Sequence, residues 1–300
     1  MKNYIVFSFS QNKKLAAKLA SGLGCELGEI SATTFADGEV LVKAISDVKD
    51  KDAIVIESTF NRVHERLFEF MLLLDSIHRS GARSIKLFIP YYGYSRQERV
   101  SYFNEPVSAE VISKIIETAH YDDIYAFDLH HTDVSKFFSK PLINLPTSDL
   151  FVEYYGNIIK DTNIDKKDVV VISPDHGANQ RADNVAAGLG VDKIILDKVR
   201  PEPNKAEHLA LRGDVKGKTC IIIDDIVDTG GTIASAARLL YSHGATAVYL
   251  GASHAVFSGH CYTKLKEANI KDIVVTDSIE KKLPRAVKVL SLDKLIKKVI

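Results

Sequence analysis

The run Cys220-Ile221-Ile222-Ile223-Asp224-Asp225-Ile226-Val227-Asp228-Thr229-Gly230-Gly231-Thr232, continuing into Ile233-Ala234-Ser235-Ala236-Ala237, decides how this chain is read. Residues 220–223 are apolar without alternation, the pattern of a strand buried on both faces. Residues 232–243 read as a helix, so strand, short turn and helix follow one another. Gly230 and Gly231 permit close backbone approach and unusual torsions. Their amides, the hydroxyls of Thr229 and Thr232 and the helix dipole suit a phosphate dianion. Carboxylates repel such an anion, so Asp224 and Asp225 are expected to face vicinal ribose hydroxyls, or a magnesium ion lying over them. A plain strand–helix turn with an Asp N-cap would use only one of the three aspartates.

Working outward, the same alternation fills the chain. Short β-branched runs at 4–9, 53–57, 84–90, 124–127, 169–173, 193–196, 247–251, 273–276 and 287–290 are expected strands. Helical patterns lie at 13–22, 65–80, 107–119, 150–159, 179–188, 261–268 and 292–300; in the second, Leu67, Phe70, Met71, Leu74 and Ile77 make one stripe. Strand, helix, strand at this spacing predicts an α/β protein with mostly parallel sheets flanked by helices. No linker divides the chain. The stretch 141–147 reads as irregular and marks the expected boundary, giving domains 1–146 and 147–300. The halves carry no residue-level repeat.

At 300 residues the chain has room for about two domains. Its 39 Lys plus Arg balance 39 Asp plus Glu, which argues against a surface built for nucleic acid or anionic membrane. Cys25, Cys220 and Cys261 are far apart and form no zinc or C-x-x-C spacing, as in a reducing compartment. The start shows no secretory signal and no apolar stretch approaches a membrane span, so a cytoplasmic protein is expected. The basic residues after Lys281 read as a solvated face.

Ligands in open parallel sheets bind beyond the carboxyl ends of the strands. Besides the Asp224–Thr232 turn, residues 124–127 run into Asp128-Leu129-His130-His131, and residues 169–173 into Pro174-Asp175-His176-Gly177. There is no G-x-x-x-x-G-K-[ST] P-loop, no G-x-G-x-x-G, no H-E-x-x-H and no G-x-S-x-G elbow.

The Asp224–Thr232 segment resembles the phosphoribosyl-pyrophosphate (PRPP) loop shared by phosphoribosyltransferases and ribose-phosphate pyrophosphokinases. Further matches, in family order, point to the pyrophosphokinases: Phe35-Ala36-Asp37-Gly38-Glu39, Pro90-Tyr91-Tyr92-Gly93-Tyr94-Ser95-Arg96-Gln97-Glu98-Arg99, Asp128-Leu129-His130, Ser173-Pro174-Asp175-His176-Gly177 and Asp197-Lys198-Val199-Arg200-Pro201. The resemblance implies two phosphoribosyltransferase-like domains, the first recognising ATP and the second ribose 5-phosphate. The implied reaction moves the β,γ-diphosphoryl group of ATP to the C1 hydroxyl of ribose 5-phosphate, giving PRPP and AMP.

The resemblance also implies roles. Phe35, Asp37, Gly38 and Glu39, locally a polar turn after a strand, would contact adenine from a neighbouring subunit, which implies a homo-oligomer with a shared ATP site. Arg96 and Gln97 would bind ATP. His130 would ligate magnesium through the ATP phosphates, and Asp175 would hold magnesium at the ribose. Histidine is an uncommon ligand for that oxygen-preferring ion, so the first of these rests on resemblance alone. His131 is given no role. Asp224, Asp225, Asp228, Thr229, Gly230, Gly231 and Thr232 would hold ribose 5-phosphate, with Arg200. Lys198 and Arg200 would be the catalytic cations, on a flap closing over the triphosphate; Val199 interrupts the family's K-R-R and is given no role. Two alternatives share the loop: a phosphoribosyltransferase, and a catalytically inactive regulatory homologue. Retention of His130, Asp175, Lys198 and Arg200 argues against the latter. Asn61–Glu65 and Val100–Asn104 depart from the family, and the chain lacks the tail of longer members. These departures weigh against phosphate activation and ADP inhibition.

Overall fold

In a computed structural model describing residues 3–175, 177–199 and 208–300, the unbroken apolar runs become the inner strands of two parallel sheets. The chain divides into two compact units: 1–145 with 277–281 and 291–300, and 146–276 with 282–290.

The first unit opens with β1 (Tyr4–Phe7) and α1 (Lys13–Leu23), which buries Leu15, Ala16, Leu19 and Ala20. The helix stops at Gly24, whose φ of +65° lets its N–H return to the carbonyls of Ala20 and Ser21. Next come β2 (Glu26–Leu27), β3 (Ile30–Thr34), β4 (Val40–Ala44), β5 (Asp52–Ile56), α2 (Val63–Arg79), β6 (Ser84–Ile89), α3 (Ser108–Ile116), β7 (Asp123–Phe127) and β8 (Leu142–Leu145). The sheet order is β2-β1-β5-β6-β7-β8, with every pair parallel. The chain therefore reverses its direction of growth between β1 and β5. The α2 stripe of Leu67, Phe70, Leu74 and Ile77 is buried with Val55, Leu87 and Ile89 of the sheet.

Besides the two-residue β2, a hairpin and an edge strand here differ from the sequence reading. β3 and β4 form a separate antiparallel hairpin, from Ile30 opposite Ala44 to Thr34 opposite Val40. Its residues are mostly exposed, with Val42 buried, so the alternation that marks a half-buried strand is faint. The stretch 141–147, expected to be irregular, contains β8, an edge strand paired with β7. Four residues between prolines 141 and 146 are too short a run to show a period.

The second unit runs α4 (Ser148–Asp161), β9 (Val169–Ser173), α5 (Asn179–Leu189), β10 (Asp192–Val199), β11 (His208–Leu211), β12 (Thr219–Val227), α6 (Gly231–Ser242), β13 (Ala247–Ala255), α7 (Cys261–Glu267), β14 (Asp272–Thr276) and β15 (Val287–Leu290). The order is β11-β10-β9-β12-β13-β14-β15, parallel except for β10 with β11. β9, β10 and β12–β15 repeat the winding of β1, β2 and β5–β8, so one topology occurs twice without a matching sequence repeat. Period-two alternation splits the central strands between the faces. Val169, Val171, Ile221 and Ile223 are buried with Ala182, Val185 and Leu189 of α5, and Val170, Ile172, Cys220 and Ile222 with Ile233, Ala237 and Leu240 of α6.

The chain ends in α8 (Asp293–Lys297), which belongs to the first unit. There Asp293 pairs with Lys18 of α1 at 3.0 Å and with Lys297 at 2.9 Å. Among the described residues no helix is long and apolar enough to cross a membrane.

Candidate active site

The second sheet reverses between β9 and β12, and a crevice beyond the carboxyl ends of those strands is where open parallel sheets bind ligands. Pro174 and Asp175 follow β9. Asp224 and Asp225 lie near the end of β12. Alternation from Ile221 and Ile223 sends Asp225 to the α5 face, while Asp224 follows Ile222 to the α6 face. At the strand end the two carboxylates nevertheless lie close enough to interact. Asp225 is 4 % exposed and lies 3.7 Å from Arg181 Nη1 of α5. Its N–H donates to Asp224 Oδ1 at 2.9 Å. Burial, and then the charges of Asp225 and Asp175, push the Asp224 carboxyl well above the usual carboxylate range. Asp175 Oδ1 accepts from the N–H of Ala178 at 3.1 Å, and its carbonyl accepts from Ser173 Oγ at 2.6 Å.

Residues 228–230 carry the chain from β12 into α6. Gly230 has φ +75°, and a Cβ there would lie 3.0 Å from Cys261 Sγ and 3.1 Å from the Cys261 carbonyl. Only glycine fits. A Cβ on Gly231 would meet nothing nearer than Thr229 Oγ1 at 3.9 Å, so the space before it is open. The N-cap of α6 is Gly230, which has no side chain to cap with, and the first turn of the helix carries no acid, an N-terminus suited to an anion. Thr229 and Thr232 are exposed on either side.

The residues suit magnesium in chemistry. Their donors are oxygen, and the crowding of Asp175, Asp224 and Asp225 is what a divalent cation relieves. Among the described residues no three acidic, histidine or cysteine side chains converge into a protein-only metal cage. Magnesium commonly keeps waters and substrate oxygens in its shell, so one or two carboxylates suffice.

In the first unit, Phe35–Glu39 is the loop of the β3–β4 hairpin. Phe35 N–H donates to the Glu39 carbonyl at 2.8 Å, and Glu39 N–H to Asp37 Oδ1 at 3.1 Å. Gly38, at φ +97°, makes the turn, and Phe35 is 49 % exposed. Arg96 and Gln97 are exposed beyond β6. Gln97 supports α3: its Oε1 accepts from Ser108 Oγ at 2.6 Å and its carbonyl from Ala109 N–H at 3.2 Å. Gly93 belongs to the same turn, where a Cβ would fall 2.5 Å from the Thr59 carbonyl. His130 is exposed beyond β7. The backbone of Lys198 lies in β10 opposite Leu209; its side chain and all of Arg200 lie outside the described residues. Of the irregular flap expected at 199–207, the backbone of Val199 instead continues β10 opposite His208, and the rest lies outside the described residues.

Two functional candidates escaped the sequence reading. Arg181 is the single Lys or Arg between Lys167 and Lys193, a faint signal in an otherwise small-residue helix. Glu57 ends the apolar run of β5 and sits where the first sheet reverses. It is fully buried and accepts from Ser8 Oγ, Phe9 N–H, Ser10 N–H, Ser10 Oγ and Gln11 N–H at 2.8–3.2 Å. The crevice that is open in the second unit is thus filled in the first by the protein's own carboxylate.

The family model described as the N-terminal domain of ribose phosphate pyrophosphokinase matches residues 4–119, and a phosphoribosyl transferase domain model matches residues 150–293. The chain is 39 % identical over 298 residues to the ribose-phosphate pyrophosphokinase of Staphylococcus saprophyticus, covering 98 % of this chain and 92 % of that one. It is 38 % identical over 288 residues to that of Bacillus subtilis, covering 96 % and 88 %. A crystal structure of phosphoribosylpyrophosphate synthetase from Mycobacterium smegmatis superposes with a TM-score of 0.87 at 33 % identity, over 99 % of this chain and 97 % of that one. With both halves matched, and with these relatives following the chain over nearly its whole length, the protein belongs to the ribose-phosphate pyrophosphokinase family.

Proposed function

We propose that the chain catalyses transfer of the β,γ-diphosphoryl group of ATP to the C1 hydroxyl of ribose 5-phosphate, releasing AMP and PRPP. The observation that carries this reading is the α6 N-terminus, with a glycine at its N-cap, no acid in its first turn and open space at Gly231, lying directly after two strand-end carboxylates. A sugar phosphate matches both ends: its 5-phosphate takes the amides and hydroxyls of Asp228–Thr232, and its vicinal hydroxyls take Asp224 and Asp225. The anomeric hydroxyl attacks the β-phosphorus and AMP leaves, so no protein nucleophile is required. Catalysis of this kind is alignment and stabilisation of charge. Lys198 and Arg200 supply the cationic part, and Arg200 also contacts the sugar phosphate. Asp175 and His130 would hold magnesium, which neutralises polyphosphate charge when bound.

Arg96, Gln97 and the Phe35–Glu39 loop form the ATP-recognition set. An exposed aromatic on a hairpin tip is suited to stack on a base carried by another subunit, which supports a homo-oligomer with a shared ATP site. The first unit then serves ATP and the second the sugar phosphate. Work on these metabolites, with three unpaired cysteines, fits the cytoplasm.

The test supplies ribose 5-phosphate, ATP and magnesium and follows AMP and PRPP. Release of AMP that depends on ribose 5-phosphate supports the proposal. Turnover only with PRPP plus a base would replace it with a phosphoribosyltransferase, and no product with either mixture would indicate the inactive homologue.

A further inference from the structure

We propose that Arg181 is a positioning residue for ribose 5-phosphate, tying the Asp175 turn to Asp225 and fixing the orientation of the carboxylates that hold the sugar. The inference rests on the assignment of Asp224 and Asp225 to the ribose hydroxyls.

Arg181 stands in the first turn of α5, the helix that follows the Asp175 turn. Its Nη1 lies 3.7 Å from Asp225 Oδ1 and 3.5 Å from the carbonyl of Gly177. The two side chains are only 14 % and 6 % exposed. A carboxylate at that depth needs a compensating charge, and the α5 face supplies it through Arg181. The consequence reaches Asp224 through the backbone. Asp225 N–H donates to Asp224 Oδ1, so the peptide that Asp225 orients also orients the neighbouring carboxylate. The chain of contacts runs Gly177–Arg181–Asp225–Asp224, across the two strand ends that border the crevice. A planar guanidinium can hold two acceptors in fixed directions, which an ammonium does less well.

An ion pair serving stability alone would lower the melting temperature without selecting among substrates. The experiment therefore measures ribose 5-phosphate binding by calorimetry without ATP, and KM for each substrate, in wild type, Arg181→Lys, Arg181→Met and Asp225→Asn, with thermal melting of each. Loss of the positioning contact is expected to weaken ribose 5-phosphate binding about tenfold in Arg181→Met, as removal of supporting contacts commonly does. KM for ATP should stay within about twofold. Arg181→Lys should recover part of the loss and provides a folded variant if the methionine protein does not fold. The proposal is overturned if folded Arg181 variants bind ribose 5-phosphate as wild type does while Asp225→Asn weakens it. It is also overturned if both substrates weaken together. Unchanged sugar binding in Asp225→Asn would instead remove the assignment on which the inference stands.

Discussion

The Gln11 N–H donates to Glu57 Oε1 at 2.9 Å, one of five donors that the β1–α1 loop aims at that buried carboxylate. In the second unit the corresponding strand end carries Asp224 and Asp225, and the following helix N-terminus is open. One winding thus has two uses. In the first unit the crevice at the reversal of the sheet is closed by an internal carboxylate that holds the loop; in the second the proposed sugar phosphate would take that place.

Glu57→Ala strands three backbone N–H groups in a buried place and should lower stability by about 3 kcal/mol. Denaturant unfolding of the intact chain measures it. A loss below about 0.5 kcal/mol would mean the loop does not depend on the carboxylate.

Burial pushes the Glu57 carboxyl above the usual glutamate range, against the pull of its donors. The native state therefore binds this proton more tightly than the unfolded chain. Wild type should gain stability relative to Glu57→Gln as pH falls through the native value, and the gain should end near about 4.3, where an unfolded glutamate also protonates. Unfolding free energies of the two proteins across that interval check the sign; a constant difference contradicts it.

Gly230→Ala forces a side chain into φ +75° and to within 3.1 Å of the Cys261 carbonyl. The expected loss is about 1–3 kcal/mol of stability, with a raised KM for ribose 5-phosphate. Adding Cys261→Ala removes the Sγ contact but neither the torsion nor the carbonyl contact. The double variant should therefore recover only part, as paired unfolding curves would reveal.

Phe35→Ala removes a ring that is half exposed on the hairpin loop. Stability should change by less than about 0.5 kcal/mol, while ATP binding weakens by about 1 kcal/mol, seen as a several-fold higher KM. A large drop in melting temperature with unchanged KM would mark the ring as packing.

Lys198→Ala should lower kcat on the order of 10³-fold, about 4 kcal/mol, with little change in nucleotide affinity. Single-turnover assays with saturating substrates separate the two quantities. A kcat near that of wild type removes Lys198 from the catalytic set.

The strand–turn–helix setting of the candidate site is legible in the sequence. Asp224–Thr232 sits in one continuous segment, where strand, paired glycines and helix start are all written in local residue types, so its placement follows from short-range rules. The same holds for Asp175, which directly follows a buried apolar strand. Glu57 gave no such signal. Its donors come from residues 8–11, and only the pairing of β1 with β5 brings them to it. The β3–β4 hairpin was hidden because its faces are largely exposed, leaving no hydrophobic period.

Local residue types thus suffice for the α/β class, the inner strands and the glycine turn after β12, because burial on both faces and glycine torsions act over a few residues. Only the tertiary structure decided that the winding occurs twice, that residues 291–300 rejoin the first unit, and that Asp225 meets Arg181. Those outcomes depend on strand order and on contacts between residues distant in the chain, and no local pattern encodes them.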